Sequence, residues 1–342
     1  MKVAKLYSFE DIRIEEMPVP KVGPNDALIK TKASGICSGD VMPWYIAKKA
    51  PLVLGHEPSG EIVELGNELT SSHFKVGDRV AVHHHAPCMS CSCCNRGDYV
   101  QCSTWRKTFI NPGGIAEYIL IPETNLLNDT LVLPDSVSFE DGCLVEPVAC
   151  VVKSLKRANI KRGDTVLIIG LGVMGQMHVL MSREYGAGRI IAVDKVEYRL
   201  NKALEFGADF AIDVSKDNLN EKLADITNGH MANIVIVGPN SAEAMKQGIS
   251  CSSRGGTVVL FTPALPDEKL LIDPNEIYFK DISIVTSYSC GPDDTKTALS
   301  LIAKKLVTAD KLITHRFAIE KTYEAYRLTI SAKDSLKSAI IF

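Results

Sequence analysis

The feature that most constrains this chain is the stretch 165–175, in which five residues dominated by valine and isoleucine run into Gly170, Gly172 and Gly175. The first five read as a buried strand and the residues after the glycines as a helix reaching about residue 185, so the pattern is strand, tight turn, helix. Glycine at the first two positions lets the backbone bend and come close to an anion, and the third lets helix and strand pack closely. A helix starting at such a turn presents free N–H groups and the positive end of its dipole, which suits a pyrophosphate. Glycine triplets also occur as plain turns, so context has to decide. Here a second strand, 189–193, ends in Asp194, an acid placed about 20 positions past the glycines, where a ribose 2′-hydroxyl needs an acceptor. An acid there repels a 2′-phosphate and favours NAD over NADP; the plainer role for Asp194 is to cap a helix.

The rest of the chain divides around that unit. Residues 1–120 read as short strands (2–7, 12–16, 27–33, 60–65 and 79–82) punctuated by Pro18, Pro20, Pro24 and Gly77, the pattern of a small irregular barrel and not of a parallel sheet. Helical character begins near Asp141. From Gly163 onward strands at 210–213, 233–237, 256–261 and 281–285 alternate with helices at 218–226 and 242–249, giving six strands with crossovers, a complete doubly wound sheet. A helix at 294–305 leads to a strand at 339–342, which has no partner in that sheet and is expected to return to the N-terminal domain.

Composition narrows the function classes. With 342 residues, 46% of them hydrophobic, the chain has core enough for roughly two domains, and its net charge of −3 leaves no basic footprint for nucleic acid or an anionic membrane. It shows no apolar N-terminal segment and no apolar run of about 18 residues, so the expected location is the cytoplasm. Ten cysteines are many for a reducing compartment, but five lie between Cys88 and Cys102, which is metal spacing and not a dispersed disulfide framework.

Cys88, Cys91, Cys94 and Cys102 offer four thiolates, enough to close a tetrahedral zinc shell that holds a loop and does no chemistry. Cys93 is a bystander beside them or a competitor for the metal. The run His83, His84, His85 also invites a metal reading; alternation of side chains along a strand is the preferred one. A second, dispersed set comprises Cys37, His56, Glu57 and Glu146. One thiolate, one imidazole and one or two carboxylates are what a catalytic zinc uses while keeping a position for water or substrate.

Taken in order, Gly35-Ile36-Cys37, Gly55-His56-Glu57, 76–80, the four-cysteine lobe, 113–118, Glu146-Pro147 and the Gly170 loop make the chain resemble the zinc-containing medium-chain alcohol dehydrogenases over nearly its whole length. Its Glu-Pro is similar to that of the sorbitol and threonine dehydrogenase branches. The resemblance implies an α/β protein with a GroES-like β-barrel catalytic domain (1–148, with 291–342 returning to it) and a Rossmann NAD-binding domain (149–290). It also implies an active site in the cleft between them and a homodimer or homotetramer. The expected cofactors are NAD and two Zn2+ per chain, and the expected reaction is hydride transfer between NAD(H) and a secondary alcohol or ketone. A polyol, sugar or diol is the favoured substrate, with an amino alcohol such as L-threonine as runner-up. A zinc-free reductase would lack Cys37, His56 and Glu146, and a non-catalytic binding protein would hold only the four-cysteine zinc.

Residue roles follow from the same resemblance. Cys37, His56 and either Glu57 or Glu146 hold the catalytic zinc, and Asp40 orients His56. Val173 and Met174 present backbone to the pyrophosphate, Asp194 and Arg199 hold the adenosine ribose, and Lys337 lies near the pyrophosphate. Phe261, Thr262, Thr286, Ser287 and Tyr288 line the nicotinamide half. Trp44 and Tyr45 lie where the family lines its substrate cleft, and either stack on a sugar or pack in the core. The chain departs from the family at two places. Gly39 stands where a hydroxyl normally relays the substrate proton, so the relay is displaced to Ser38, Glu57 or a water molecule. Ser287 stands where sorbitol dehydrogenases tend to carry an arginine, which speaks against sorbitol itself.

Overall fold

Short strands broken by proline and glycine pair side by side through their backbones and bury one apolar face, and the first part of the chain does this in antiparallel fashion. The computed structural model describes residues 1–69, 73–331 and 333–342, which cluster into two units, 1–149 with 290–342, and 150–289. In the first unit, β1 (Lys2–Ser8) lies between β2 (Asp11–Glu16) and β4 (Leu52–Val53) in a three-stranded sheet. A larger sheet is built on β3 (Ala27–Gly35), which pairs with β5 (Glu57–Leu65) and β7 (Tyr118–Ile121); β6 (Arg79–Val82) and β8 (Thr130–Val132) extend it beyond β5. Val3, Ile29, Ile62, Val80, Ile119 and Leu126 pack inside as its core.

β6 stops at Val82 because its partner β8 begins at Thr130, opposite Val82, and offers no strand beyond it. The strand alternation expected across His83–His85 is therefore absent: these three residues lie in irregular backbone leading to the cysteine lobe.

The second unit is a six-stranded parallel sheet, β9 (Thr165–Ile169), β10 (Arg189–Asp194), β11 (Phe210–Asp213), β12 (Ala232–Val237), β13 (Ser252–Leu260) and β14 (Ser283–Thr286). The strands lie in the order β11-β10-β9-β12-β13-β14, so the chain reverses direction across the sheet between β9 and β12. All five residues of β9 are buried, as a central parallel strand covered by helices on both faces requires. Leu167, Ile191, Val193, Val235 and Val258 form the core on one face.

The chain then returns to the first unit with β15 (Ile313–Phe317) and β16 (Lys337–Ile341). β16 pairs antiparallel with β3, placing Ala339 opposite Gly35, which is the return expected for the C-terminal strand. Ile340 thereby joins Leu6, Ile36, Leu54 and Ile115 in a further buried cluster.

Candidate metal centres and nucleotide loop

Two strand ends in the first unit bring together what the sequence keeps apart. The β3–β5 register sets Gly35 opposite Glu57, so Cys37, just past the end of β3, meets His56 and Glu57 at the start of β5. One ligand atom of each lies within 4.8 Å of the others. Cys37 caps the single turn Ser38–Val41, its Sγ accepting from the Gly39 N–H at 3.3 Å. Behind the group, Asp40 Oδ2 stands 3.2 Å from His56 Nδ1, which turns Nε2 of the imidazole outward as a ligand. Burial works against a charge on His56, but Asp40 and Cys37 outweigh it and hold the imidazole well above its usual range. Ser38 is exposed on this turn.

The donor set suits a divalent cation. Glu57 is 1% exposed, and its Oε1 is buried with no hydrogen-bond partner; a carboxylate oxygen left so beside a thiol and an imidazole is costly unless a cation takes it. Its Oε2 is 2.6 Å from Lys337 Nζ. This corrects the expectation for Lys337: the residue opens β16, which pairs with β3, so its ammonium reaches the Cys37 loop. There it binds Glu57 and donates to the Ile36 carbonyl at 3.2 Å while remaining 2% exposed, which leaves it buried in this ion pair and not presented to a pyrophosphate. Gly35 makes the pair possible, since a Cβ there would lie 2.0 Å from Glu57 Oε2 and 2.7 Å from Lys337 Cε.

Glu57, not Glu146, completes the Cys37–His56 group in this structure. Glu146, in the first turn of the helix Val145–Ala158, falls instead into a second group with His83 and Cys290, again with ligand atoms within 4.8 Å of one another. His84, for which strand alternation is the preferred sequence reading, packs at the Cys37 group. Its ring packs 4.7 Å from that of His56 and 5.6 Å from that of Phe109, and its Nδ1 is buried with no hydrogen-bond partner. Burial first, then the neighbouring His56, keep it well below the usual histidine range and therefore neutral. Its one sequence signal is its place in the histidine run ahead of Cys88. Trp44 and Tyr45 are half-buried, their rings edge to face at 5.8 Å.

The four cysteines of the lobe close on one point. Cys91 and Cys94 are 3.5 Å apart at sulfur, Cys88 and Cys102 3.7 Å, and Cys88 and Cys94 4.0 Å. Four thiolates at about 2.3 Å from a tetrahedral zinc would stand about 3.8 Å apart, so the spacing is that of a closed structural site. The Ser90 hydroxyl, with backbone N–H groups behind it, pulls the Cys88 thiol down to about 5, toward the thiolate a metal needs. Cys93 is outside this group.

In the second unit β9 ends at Ile169 and the backbone turns at Gly170 with φ +87° into the helix Val173–Ser182, capped by Gly172. A Cβ on Gly175 would lie 2.0 Å from the Gly170 carbonyl oxygen, which is the close helix–strand contact the third glycine was expected to permit. Val173 is buried and Met174 half-buried on the first turn. Asp194, at the end of β10, accepts from the backbone N–H groups of Leu171 (2.7 Å), Lys195 (2.7 Å) and Val196 (3.0 Å) and stands 3.6 Å from Arg199 Nη1. It thus latches the glycine loop to β10 as well as placing a negative charge there. Gln176, unremarked in the sequence, ties the same region by donating to the carbonyls of Leu171 and Arg199. Phe261 and Thr262 follow β13, and Thr286, Ser287 and Tyr288 lie at the end of β14. All of these sit at the carboxyl ends of parallel strands, where doubly wound sheets take their ligands.

Two family models match the chain in succession. The model of the alcohol dehydrogenase GroES-like domain matches residues 23–135, and that of the zinc-binding dehydrogenase domain matches residues 173–304. A sorbitol dehydrogenase of Halalkalibacterium halodurans is 34% identical over 95% of this chain and 94% of its own length. Among solved structures, 2R,3R-butanediol dehydrogenase from Bacillus subtilis superposes with a TM-score of 0.87 at 28% identity, covering 100% of this chain and 99% of that one. A zinc-binding dehydrogenase from Sinorhizobium meliloti bound to NADP superposes with a TM-score of 0.88 at 27% identity, covering 100% and 99%.

Proposed function

The chain belongs to the zinc-binding medium-chain alcohol dehydrogenases, and from that membership we propose that it oxidises a secondary hydroxyl of a polyol, sugar or diol with NAD. The observation that carries the reading is the meeting of Cys37, His56 and Glu57, a catalytic-type donor set, in a chain that also carries a complete dinucleotide loop. When bound, zinc supplies the Lewis acidity that lowers the pKa of a substrate hydroxyl, and NAD accepts the hydride.

The chain's own residues hold and orient. Asp40 fixes the tautomer of His56, and Lys337 neutralises one oxygen of Glu57 while the other stays available to a cation. Gly39 offers no hydroxyl, so Ser38 and Glu57 are the groups at hand to pass the substrate proton outward. Adjacent hydroxyl-bearing carbons are common to sorbitol and 2R,3R-butanediol, for which the two named relatives are called, and this supports a vicinal diol unit as the group recognised. The buried charge of Asp194 at the loop supports NAD over NADP.

Two zinc ions per chain belong to this reading, one at Cys37 and one in the cysteine lobe. A homodimer or homotetramer is supported by the exposure of Leu271 (80%), Tyr278 (78%) and Phe279 (72%), close in sequence to β14, an edge strand of its sheet. Among the described residues no helix is long and apolar enough to cross a membrane. All ten cysteines are free of disulfides, which supports a reducing cytoplasm.

The test is a screen of polyols, sugars, vicinal diols and threonine with NAD and with NADP, following the absorbance of reduced nicotinamide. Turnover is expected with a vicinal diol and NAD. Turnover confined to threonine would move the substrate to the amino alcohols, and faster turnover with NADP would overturn the role given to Asp194.

A further inference from the structure

His83 is buried, at 3% exposure, and Cys290, 207 positions away, is completely buried beside it. His83 Nε2 lies 3.7 Å from Cys290 Sγ, and a carboxylate oxygen of Glu146, itself 8% exposed, lies within 4.8 Å of both. Imidazole nitrogen and thiolate sulfur bound to one tetrahedral zinc, at about 2.0 and 2.3 Å, stand about 3.5 Å apart. The observed separation is close to that.

An independent contact orients the imidazole for the same purpose. His83 Nδ1 is 2.6 Å from Asp129 Oδ2, and the other oxygen of Asp129 accepts from the Thr295 hydroxyl at 2.5 Å. A carboxylate on Nδ1 places that proton on Nδ1 and leaves the Nε2 lone pair facing Cys290, the arrangement that supports metal-bound histidines. The group repeats the composition of the Cys37 site, with one cysteine, one histidine, one glutamate and an aspartate behind the imidazole. The two groups share no ligand. Glu57, His83, Cys143 and Glu146 also line one small cavity, so the two carboxylates border a common space.

We propose that His83, Glu146 and Cys290 form a third metal site in this chain, taking Zn2+ or another borderline-soft divalent ion such as Co2+. Its ligands come from the residue just past β6, from the helix Val145–Ala158 and from the residue that opens the returning segment. The ion therefore ties that segment to the rest of the first unit.

The test is metal analysis by mass spectrometry of the purified full-length protein and of the variants Cys290→Ser, His83→Gln, Cys37→Ser and Cys290→Ser/Cys37→Ser. The wild type is expected to hold three ions per chain, each single variant two, and the double variant one. Cobalt-substituted wild type should show thiolate-to-metal absorption that Cys290→Ser reduces and Cys37→Ser reduces separately. Two ions in the wild type would overturn the proposal, whatever the variants' folding. So would loss of the same single ion in Cys290→Ser, Cys37→Ser and the double variant, which would place Glu146 and Cys290 in the catalytic set. The outcome separates from the functional reading: turnover with only two ions sinks the third site alone, and three ions without turnover on any alcohol sinks the dehydrogenase reading alone.

Discussion

Replacing His178 by glutamine should flatten the acid side of the stability profile, and the size of the effect follows from the structure. His178 lies on the helix Val173–Ser182 at 1% exposure, donates from Nδ1 to the Met174 carbonyl at 2.8 Å and accepts on Nε2 from the Ser154 hydroxyl at 2.9 Å. Both contacts suit the neutral ring. Burial is the main reason its pKa is pushed down to about 4 from 6.5, with the Met174 carbonyl opposing slightly. Above pH 6.5 the ring is neutral in both folded and unfolded chains, so it adds no pH dependence. As pH falls from 6.5 toward 4 the unfolded chain binds a proton that the folded chain refuses, and the contribution is lost across that window. At roughly 1.36 kcal/mol per pKa unit, the whole window is worth about 3 kcal/mol, of which about 2 kcal/mol falls between pH 7 and pH 5. Urea unfolding followed by circular dichroism at pH 7 and pH 5, in wild type and His178→Gln, measures this as a difference of differences, so the other titrating groups cancel. Equal pH dependence in the two proteins would refute the reasoning. The Phe261 ring, packed edge-on at 4.8 Å from His178, should show the same change in its local packing at low pH.

Three further outcomes are expected. Gly175→Ala puts a methyl carbon 2.0 Å from the Gly170 carbonyl oxygen, so the helix must move off β9; overpacking of this kind costs about 1–3 kcal/mol and should weaken NAD binding at least about tenfold, read by calorimetry. Asp194→Ser removes the acceptor shared by Leu171, Lys195 and Val196 N–H groups together with the charge that repels a 2′-phosphate; the ratio of kcat/KM for NAD over NADP should fall about tenfold or more, and an unchanged ratio would mean the charge has no part in the choice. Cys102→Ser, at a buried position of the lobe, should cost one zinc and make the segment from Cys88 to Cys102 the first site of limited proteolysis; a full zinc complement would show that the four sulfurs are not one shell.

Local signals were legible because they are written in consecutive residues. Gly170, Gly172 and Gly175 announce their turn by spacing, and the backbone does bend at Gly170, through a positive φ. The cysteine lobe is legible for the same reason, since four ligands within one short loop need no knowledge of distant partners. The return of the last strand could be expected from a strand left over once the parallel sheet was complete, and β16 does pair with β3. Periodicity misled at His83–His85, because alternation cannot reveal that the partner strand starts only at Thr130, opposite Val82.

What stayed hidden is long-range register. Lys337 looked like a cation free for a phosphate; only the pairing of β16 with β3 brings it to Glu57, and only the missing side chain of Gly35 leaves room for the two to meet. The choice between Glu57 and Glu146 is of the same kind. Both carboxylates directly precede a proline and neither sequence context ranks them, yet the β3–β5 register sets Glu57 opposite Gly35 while the helix Val145–Ala158 carries Glu146 to His83 and Cys290. A thiolate from the end of one strand and an imidazole and a carboxylate from the start of another constrain those strands only when they converge. The convergence at Cys37 is therefore evidence of chemistry in a way that no single one of its residues is. The same logic applies at Cys290, where the ligands are separated by still longer stretches of chain and the orienting carboxylate, Asp129, is held in turn by Thr295.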